Sequence, residues 1–164
     1  MIGRMEDRTE VVRQVMRDLA MGEDWDAVVD DGIPPELARL LRGFLDAYRQ
    51  GDVEWLLDHA HPDLEIVQLE DLPDSKTYRG REGLFDALLD WPRQWKNFRI
   101  EPRRVFSVGD DHLVIVGIHR GRPRMIDIEV EAMIVFLMRW SAGLMTGWHM
   151  FPTVDEAVAV AQAR

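Results

Sequence analysis

Val11, Val12, Val15, Met16 and Leu19 recur at the spacing of one helix face and predict an amphipathic helix over residues 6–20. Gly22 breaks that pattern, and a short apolar cluster, Trp25, Val28 and Val29, precedes Asp31-Gly32 and Pro34-Pro35. Leu37, Leu40, Leu41, Phe44, Leu45 and Tyr48 then fall at i, i+3, i+4, i+7, i+8 and i+11, the cleanest helical stripe in the chain. Proline suits its first turn, and Gly51 suits its end. Asp52 is placed to cap a second helix carrying Trp55 and Leu56. Pro62-Asp63 turns the chain into a strand at about 64–70, and a polar loop from Glu70 to Lys76 leads to a helix at about 80–91. That helix has Leu84, Phe85, Leu88 and Leu89 on its apolar face, and Pro92 ends it.

From Asn97 the period changes to that of strands, at 97–107, 112–120, 127–140 and 144–151. Gly109-Asp110-Asp111, Gly121-Arg122-Pro123 and Ser141-Ala142-Gly143 mark the turns between them. Ala132 to Met138 is apolar at every position, so that strand is expected to be covered on both faces. Thr153-Val-Asp-Glu156 has the form of a capping box and opens a last short helix. Helices followed by a run of antiparallel strands indicate an α+β fold. The arrangement expected is a cone-shaped, curved, mostly antiparallel sheet wrapped by helices (residues 34–164), with a helical N-terminal extension (residues 1–33). The extension could be a lid, a dimer arm or additional packing on the main domain.

Composition narrows the function classes. The 164 residues contain no cysteine, which excludes thiolate chemistry. Thirty acidic side chains against 20 basic ones give a net charge of -10, which argues against nucleic acid as a partner. Half of the imbalance sits in residues 1–32, with nine acids against four arginines. Lysine occurs only at Lys76 and Lys96, an arginine-heavy usage expected of a GC-rich, bacterial genome. No apolar run has the length of a signal peptide core or a membrane span, so a cytoplasmic location is expected. His59 and His61, with Asp58 and Asp63, frame a turn that reads as a cap more readily than as a metal cluster. No metal site or cofactor is expected.

Several short motifs, in this order and spacing, carry a resemblance. They are Phe44-Leu-Asp-Ala-Tyr-Arg-Gln-Gly-Asp52, His61-Pro-Asp-Leu-Glu65, Tyr78-Arg-Gly-Arg-Glu-Gly83 and Gly143-Leu-Met-Thr-Gly-Trp-His-Met-Phe-Pro152. Residues 36–163 resemble the nuclear transport factor 2-like superfamily, and within it the SnoaL-like group. The fold implied hosts isomerases, cyclases, epoxide hydrolases and non-catalytic binders, so it names no reaction. The aspartate base, tyrosine and aspartic acid of its ketosteroid isomerases would fall on Gln68, Phe44 and Val135, none of which can do that work. The Asp-Arg-Asp set of its epoxide hydrolases would fall on Met150, Ile118 and Arg120. SnoaL-like cyclases place an aspartate near the end of the last strand, where only His149 is ionisable, and alternation points His149 away from the pocket.

The same correspondence implies that positions 68, 135 and 150 face a pocket, and with them Ile66, Met133, Leu137, Trp148, Glu129 and Glu131. A carboxylate in an apolar pocket could act as a general acid or base; its plainer reading is a solvated strand end or a partner for Arg104 or Arg120. Glu131, Gln68 and Arg120 are therefore the candidate acid/base, hydrogen-bond donor and anion clamp. Tyr48, Trp55, Tyr78, Phe85, Trp91, Trp95, Met133, Val135, Trp148 and Met150 are the candidate ligand-binding residues. The expected occupant is a small hydrophobic molecule, bound by an enzyme of the lyase, isomerase or cyclase type or by a carrier or sensor. In a third reading the cone is filled by its own side chains and serves interaction. His112 is expected at a turn and His119 on a partly exposed face. The doubly apolar strand at 132–138 predicts a homodimer through the outer face of the sheet.

Overall fold

The computed structural model describes residues 2–20, 24–69 and 76–163. Helix α1 (Ile2–Ala20) lies across α2 (Pro35–Gln50), and a single turn of 3-10 helix (Asp26–Val28) separates them. The short α3 (Val53–Asp58) follows, then strand β1 (Ala60–Val67), strand β2 (Thr77–Arg79) and helix α4 (Gly80–Arg93). The remaining strands are β3 (Trp95–Val108), β4 (His112–Pro123), β5 (Val130–Ser141) and β6 (Leu144–Phe151), and α5 (Val154–Ala163) closes the chain's described part. The architecture is α+β, as the hydrophobic pattern implies.

The helix boundaries follow their predicted signals. Pro35 opens α2, and Gly51 ends it in the left-handed region with φ of 67°. A Cβ at Gly51 would also stand 2.8 Å from the Arg13 carbonyl oxygen, so glycine here lets α1 approach the end of α2. The Asp52 carboxylate accepts from the Trp55 N–H at 3.1 Å and caps α3. Thr153 Oγ1 accepts from the Glu156 N–H and starts α5.

The six strands form one sheet in the order β2-β1-β6-β5-β4-β3. Only β1 and β6 run parallel, with Ile66 opposite Trp148; the other neighbours are antiparallel. Register shifts in β3, between Lys96 and Arg99 and between Pro102 and Arg104, are bulges of the kind that bend a strand. The strand at 144–151 has its predicted bounds, whereas β1 begins four residues earlier than expected and β2 is an addition. The predicted loop from Glu70 to Lys76 lies, but for Lys76, outside the described residues.

The sheet separates two apolar clusters. On its concave side, α1, α2, α3 and α4 bury Val12, Met16, Leu40, Phe44, Leu84 and Phe136 with their neighbours. On the convex side, Val114, Val116, Val135 and Leu137 pack against Ala157 and Ala161 of α5. The chain's own last helix therefore covers the outer face of the doubly apolar strand at Val135 and Leu137, while Met133 on that face stays exposed. Among the described residues, no helix is long and apolar enough to cross a membrane.

Candidate functional site

A cavity of about 120 Å³ opens between the concave face of the sheet and helices α2 and α4. The pleat of four strands supplies its floor: Ile66 on β1, Trp148 and Met150 on β6, Phe136 and Met138 on β5, and Ile115 on β4. Phe136 pairs with both Ile115 and Met150, which fixes even-numbered positions of β5 on the cavity side. Helix α2 supplies Phe44 and Tyr48, and α4 supplies Ala87 and Leu88. The N-terminal extension contributes Leu19 and Trp25 to the same wall.

An aromatic row runs along one side. The Tyr48 and Phe44 rings lie 4.9 Å apart, Phe44 meets Trp148 edge-on at 5.7 Å, and Trp148 meets Phe136 edge-on at 5.9 Å. Such tilted and edge-to-face contacts are the favoured ring arrangements. The Trp148 indole N–H is sealed inside without a hydrogen-bond partner. Burial pushes the Tyr48 hydroxyl pKa upward, so the phenol stays protonated. Arg49 reaches the wall, but its guanidinium is held by Asp46 at 3.2 Å and Asp26 at 3.4 Å. No Asp, Glu or His lines the cavity among the described residues.

Ion pairs hold the extension over this wall. Asp26 also meets Arg42 at 3.0 Å, and Asp30 meets Arg104 at 2.7 Å. The hydrogen bond from Arg104 holds the Asp30 carboxyl below its ordinary range. Val29 bridges to Val105, a cavity residue of β3. Part of the acidic excess of residues 1–32 is thus matched to arginines of the main domain.

Of the candidate residues, Tyr48, Trp148 and Met150 line the cavity. The odd positions of β5 do not, which corrects the inward orientation expected for Glu131, Met133 and Val135. Glu131 is 61% exposed, 3.7 Å from Arg120, and Arg120 lies closer to Glu101 at 3.0 Å. Met133 is 47% exposed and Val135 is fully buried under α5. Glu131 and Arg120 therefore come together, but on the convex side and away from the cavity. Gln68 is buried beside β2, where its side-chain oxygen accepts from the Lys76 N–H. Tyr78 donates its hydroxyl to Asp90 at 2.9 Å. Trp55 stacks on His59 at 3.8 Å between centroids, behind α2. Phe85 lies under the Arg8 guanidinium. The side chain of Trp91 is outside the described residues.

Trp95 packs edge-on against His119 at 4.2 Å, with Phe98 on the ring at 4.6 Å. His119 is only 5% exposed, not partly exposed as expected, and burial lowers its pKa to about 4. Phe98 lines the cavity, so this neutral imidazole lies one side chain behind its wall. His112 is buried as well, with Nδ1 2.7 Å from the Asp111 carboxylate. At the turn after α3, His59 Nδ1 lies 2.8 Å from the Trp55 carbonyl oxygen, and His61 Nδ1 accepts from the Asp63 N–H. No group of three or more metal-ligating side chains converges among the described residues.

Comparison with known proteins agrees with this geometry. A model of the SnoaL-like domain matches residues 41–148. A protein of the NTF2-like fold from Burkholderia xenovorans LB400 superposes with a TM-score of 0.59 at 24% identity, over 79% of this chain and 98% of that one. TerC, crystallised with polyporic acid, gives 0.58 at 20% identity, over 79% and 99%. A putative SnoaL-like polyketide cyclase from Mesorhizobium loti gives 0.58 at 16% identity, over 70% and 97%. These neighbours are matched almost entirely, while roughly a fifth or more of this chain lies outside each match. No curated protein matches the chain. With two thirds of its length matched by the family model, the chain belongs to the SnoaL-like domain family, and its fold is similar to that of NTF2-like proteins.

Proposed function

We propose that the cavity binds one small, flat, uncharged molecule and that the protein acts as a carrier or sensor. The observation that carries this reading is the composition of the wall, which has an aromatic row and no carboxylate or imidazole among the described residues. General acid–base chemistry needs a titratable group within hydrogen-bond reach of the substrate. The carboxylate set aside for that role, Glu131, is on the other face of the sheet, and the lyase, isomerase or cyclase reading loses its acid/base with it.

Size limits the occupant. An engineered protein cavity of ~150 Å³ accepts benzene, so a cavity of about 120 Å³ suits at most a single small ring. At about 0.5–1 kcal/mol per non-hydrogen atom, inside the range open to small ligands, a ligand of about eight such atoms binds in the millimolar to micromolar range. That a neighbour was crystallised with polyporic acid and another is a putative polyketide cyclase is in keeping with a ligand-holding fold.

Calorimetric titration with a panel of single-ring compounds tests the reading. Binding is expected for uncharged members, and Ala87→Phe, which fills the cavity from α4, is expected to abolish it. If no member binds more tightly than about 10 mM, or if Ala87→Phe leaves affinity unchanged, the reading fails. Chemical turnover of a bound compound would replace the carrier with an enzyme.

A further inference from the structure

The hairpin that joins β4 to β5 departs from the usual chemistry of a turn. Turns are ordinarily built from glycine, proline, asparagine, aspartate and serine, but residues 124–129 read Arg-Met-Ile-Asp-Ile-Glu. The Ile126 N–H donates to the Pro123 carbonyl oxygen and closes the turn. Met125 is 95% exposed, Ile128 66% and Ile126 54%. Among the described residues, four of the five large apolar side chains that face solvent lie on this hairpin, Met133 being the fourth. Single exposed apolar residues are ordinary, whereas a cluster of them on one tip marks a contact surface. Cations surround the tip. Lys96 stands opposite Arg122 in the β3–β4 ladder. The Arg124 backbone N–H donates to the Gln94 carbonyl oxygen, and its guanidinium donates to the Arg93 carbonyl oxygen. The acids of the hairpin are already matched: Asp127 lies 3.5 Å from Arg122, Glu129 3.8 Å from Arg99 and Glu131 3.7 Å from Arg120. Arg93, Lys96 and Arg124 have no carboxylate within ion-pair distance among the described residues, so this corner is locally positive in a chain whose net charge is -10.

We propose that the β4–β5 tip is a docking surface for an anionic lipid bilayer, with Met125, Ile126 and Ile128 entering the headgroup boundary and Arg93, Lys96 and Arg124 meeting lipid phosphates. A bilayer fits both halves of the surface. Apolar side chains on a turn need a partner that yields around them, and the acyl boundary requires no preformed groove. Lipid phosphates supply the counter-charge that the three unmatched cations lack. Such a contact is peripheral and needs no spanning segment. The net charge of the whole chain opposes approach, but that field is screened beyond about 8–10 Å at physiological salt. The contact is therefore decided by the groups at the tip. None of these six residues lines the cavity, so the docking stands or falls apart from ligand binding.

Co-sedimentation of the full chain with vesicles tests this, using phosphatidylglycerol and phosphatidylcholine in equal parts against phosphatidylcholine alone. Partition onto the anionic vesicles is expected to be stronger by about tenfold or more. Met125→Ser with Ile128→Ser removes the apolar contact and is expected to lower that partition about tenfold or more. Arg93→Gln with Lys96→Gln is expected to lower it by about fivefold for each charge removed. All four positions are exposed, and unchanged thermal unfolding of each variant separates lost docking from a lost fold. Arg39→Gln with Arg79→Gln changes the net charge equally, on α2 and β2, and is expected to preserve partition within about twofold. Partition onto neither vesicle type, equal partition onto both, partition that neither tip pair lowers, or a loss in the control pair as large as in Arg93→Gln with Lys96→Gln overturns the proposal. Light scattering on the same samples covers the remaining outcome. Self-association that Met125→Ser with Ile128→Ser abolishes, without vesicle binding, makes the tip a contact between copies of the chain and overturns the bilayer.

Discussion

His119 should make the stability of this protein fall in mild acid. Its imidazole is packed between Trp95 and Phe98 and is 5% exposed, and burial lowers its pKa from the ordinary 6.5 to about 4. In the unfolded chain the ring takes a proton as pH falls through about 6.5; in the folded protein it stays neutral until about pH 4. The unfolded state therefore binds more protons between these values, and stability is lost as pH falls through that window, levelling off below it. At 1.36 kcal/mol per pH unit, the gap between 6.5 and about 4 sets a ceiling of ~3 kcal/mol. The ring lies near the end of β4, where solvent screens part of the effect, so about 2 kcal/mol is expected.

Other groups also titrate in acid. Asp30 and Glu36, held below the usual carboxylate range by hydrogen bonds from Arg104 and Arg39, contribute stability that is lost as pH falls. The measurement is therefore a difference. Urea unfolding is followed from pH 7.5 to 4 for the native chain and for His119→Phe, which keeps a ring between Trp95 and Phe98 and cannot take a proton. The carboxylates are common to both and cancel. The native chain should lose about 2 kcal/mol relative to the variant between pH 7 and 4.5. A difference that stays flat across this range would refute a neutral, desolvated His119, and a difference of opposite sign would mean that a buried acid faces the ring.

Two further perturbations test the packing around the cavity. Gly43→Ala gains about 1 kcal/mol of helix propensity in α2, but its Cβ would stand 2.9 Å from Trp55 Cε2 and closer still to Cζ2. Overpacking of ~1–3 kcal/mol should win, and thermal unfolding should shift down by a few degrees; a rise in Tm would show that Trp55 and its stacked His59 yield without cost. Trp25→Ala removes the extension's aromatic contribution to the wall while leaving the Asp26 and Asp30 ion pairs in place. Stopped-flow dissociation of a bound ring compound should accelerate about tenfold or more, and an unchanged off-rate would mean that residues 24–30 are bystanders to the cavity.

The helices and the last strand were legible because their signals are local. Pro35, Gly51, Asp52 and Thr153 each act on the nearest few residues, and each does in the structure what its type implies. The three-residue β2 is too short to show a period, and its existence depends on pairing with Glu65, Ile66 and Val67. The burial of His119 depends on a partner strand too: Ile100 stands opposite it, and Trp95 and Phe98 come from the same neighbouring strand, β3. Nothing in the residues flanking His119 distinguishes a buried face from a half-exposed one.

The face of β5 was illegible for a sharper reason. Alternation tells which side of a strand is buried only when one side is polar, and Ala132 to Met138 is apolar throughout because helices cover both faces of the sheet. In such a strand, register is set by cross-strand pairing, and a shift of one residue exchanges the two faces entirely. One register would put Glu131, Met133 and Val135 in the cavity and give it a general acid or base. The observed pairing of Phe136 with Ile115 and Met150 puts Phe136 and Met138 there instead and leaves Glu131 with Arg120 in solvent. The chemical character of the site turns on that single residue of register: a carboxylate would make the cavity a place for proton transfer, whereas the observed register gives it an aromatic and aliphatic wall.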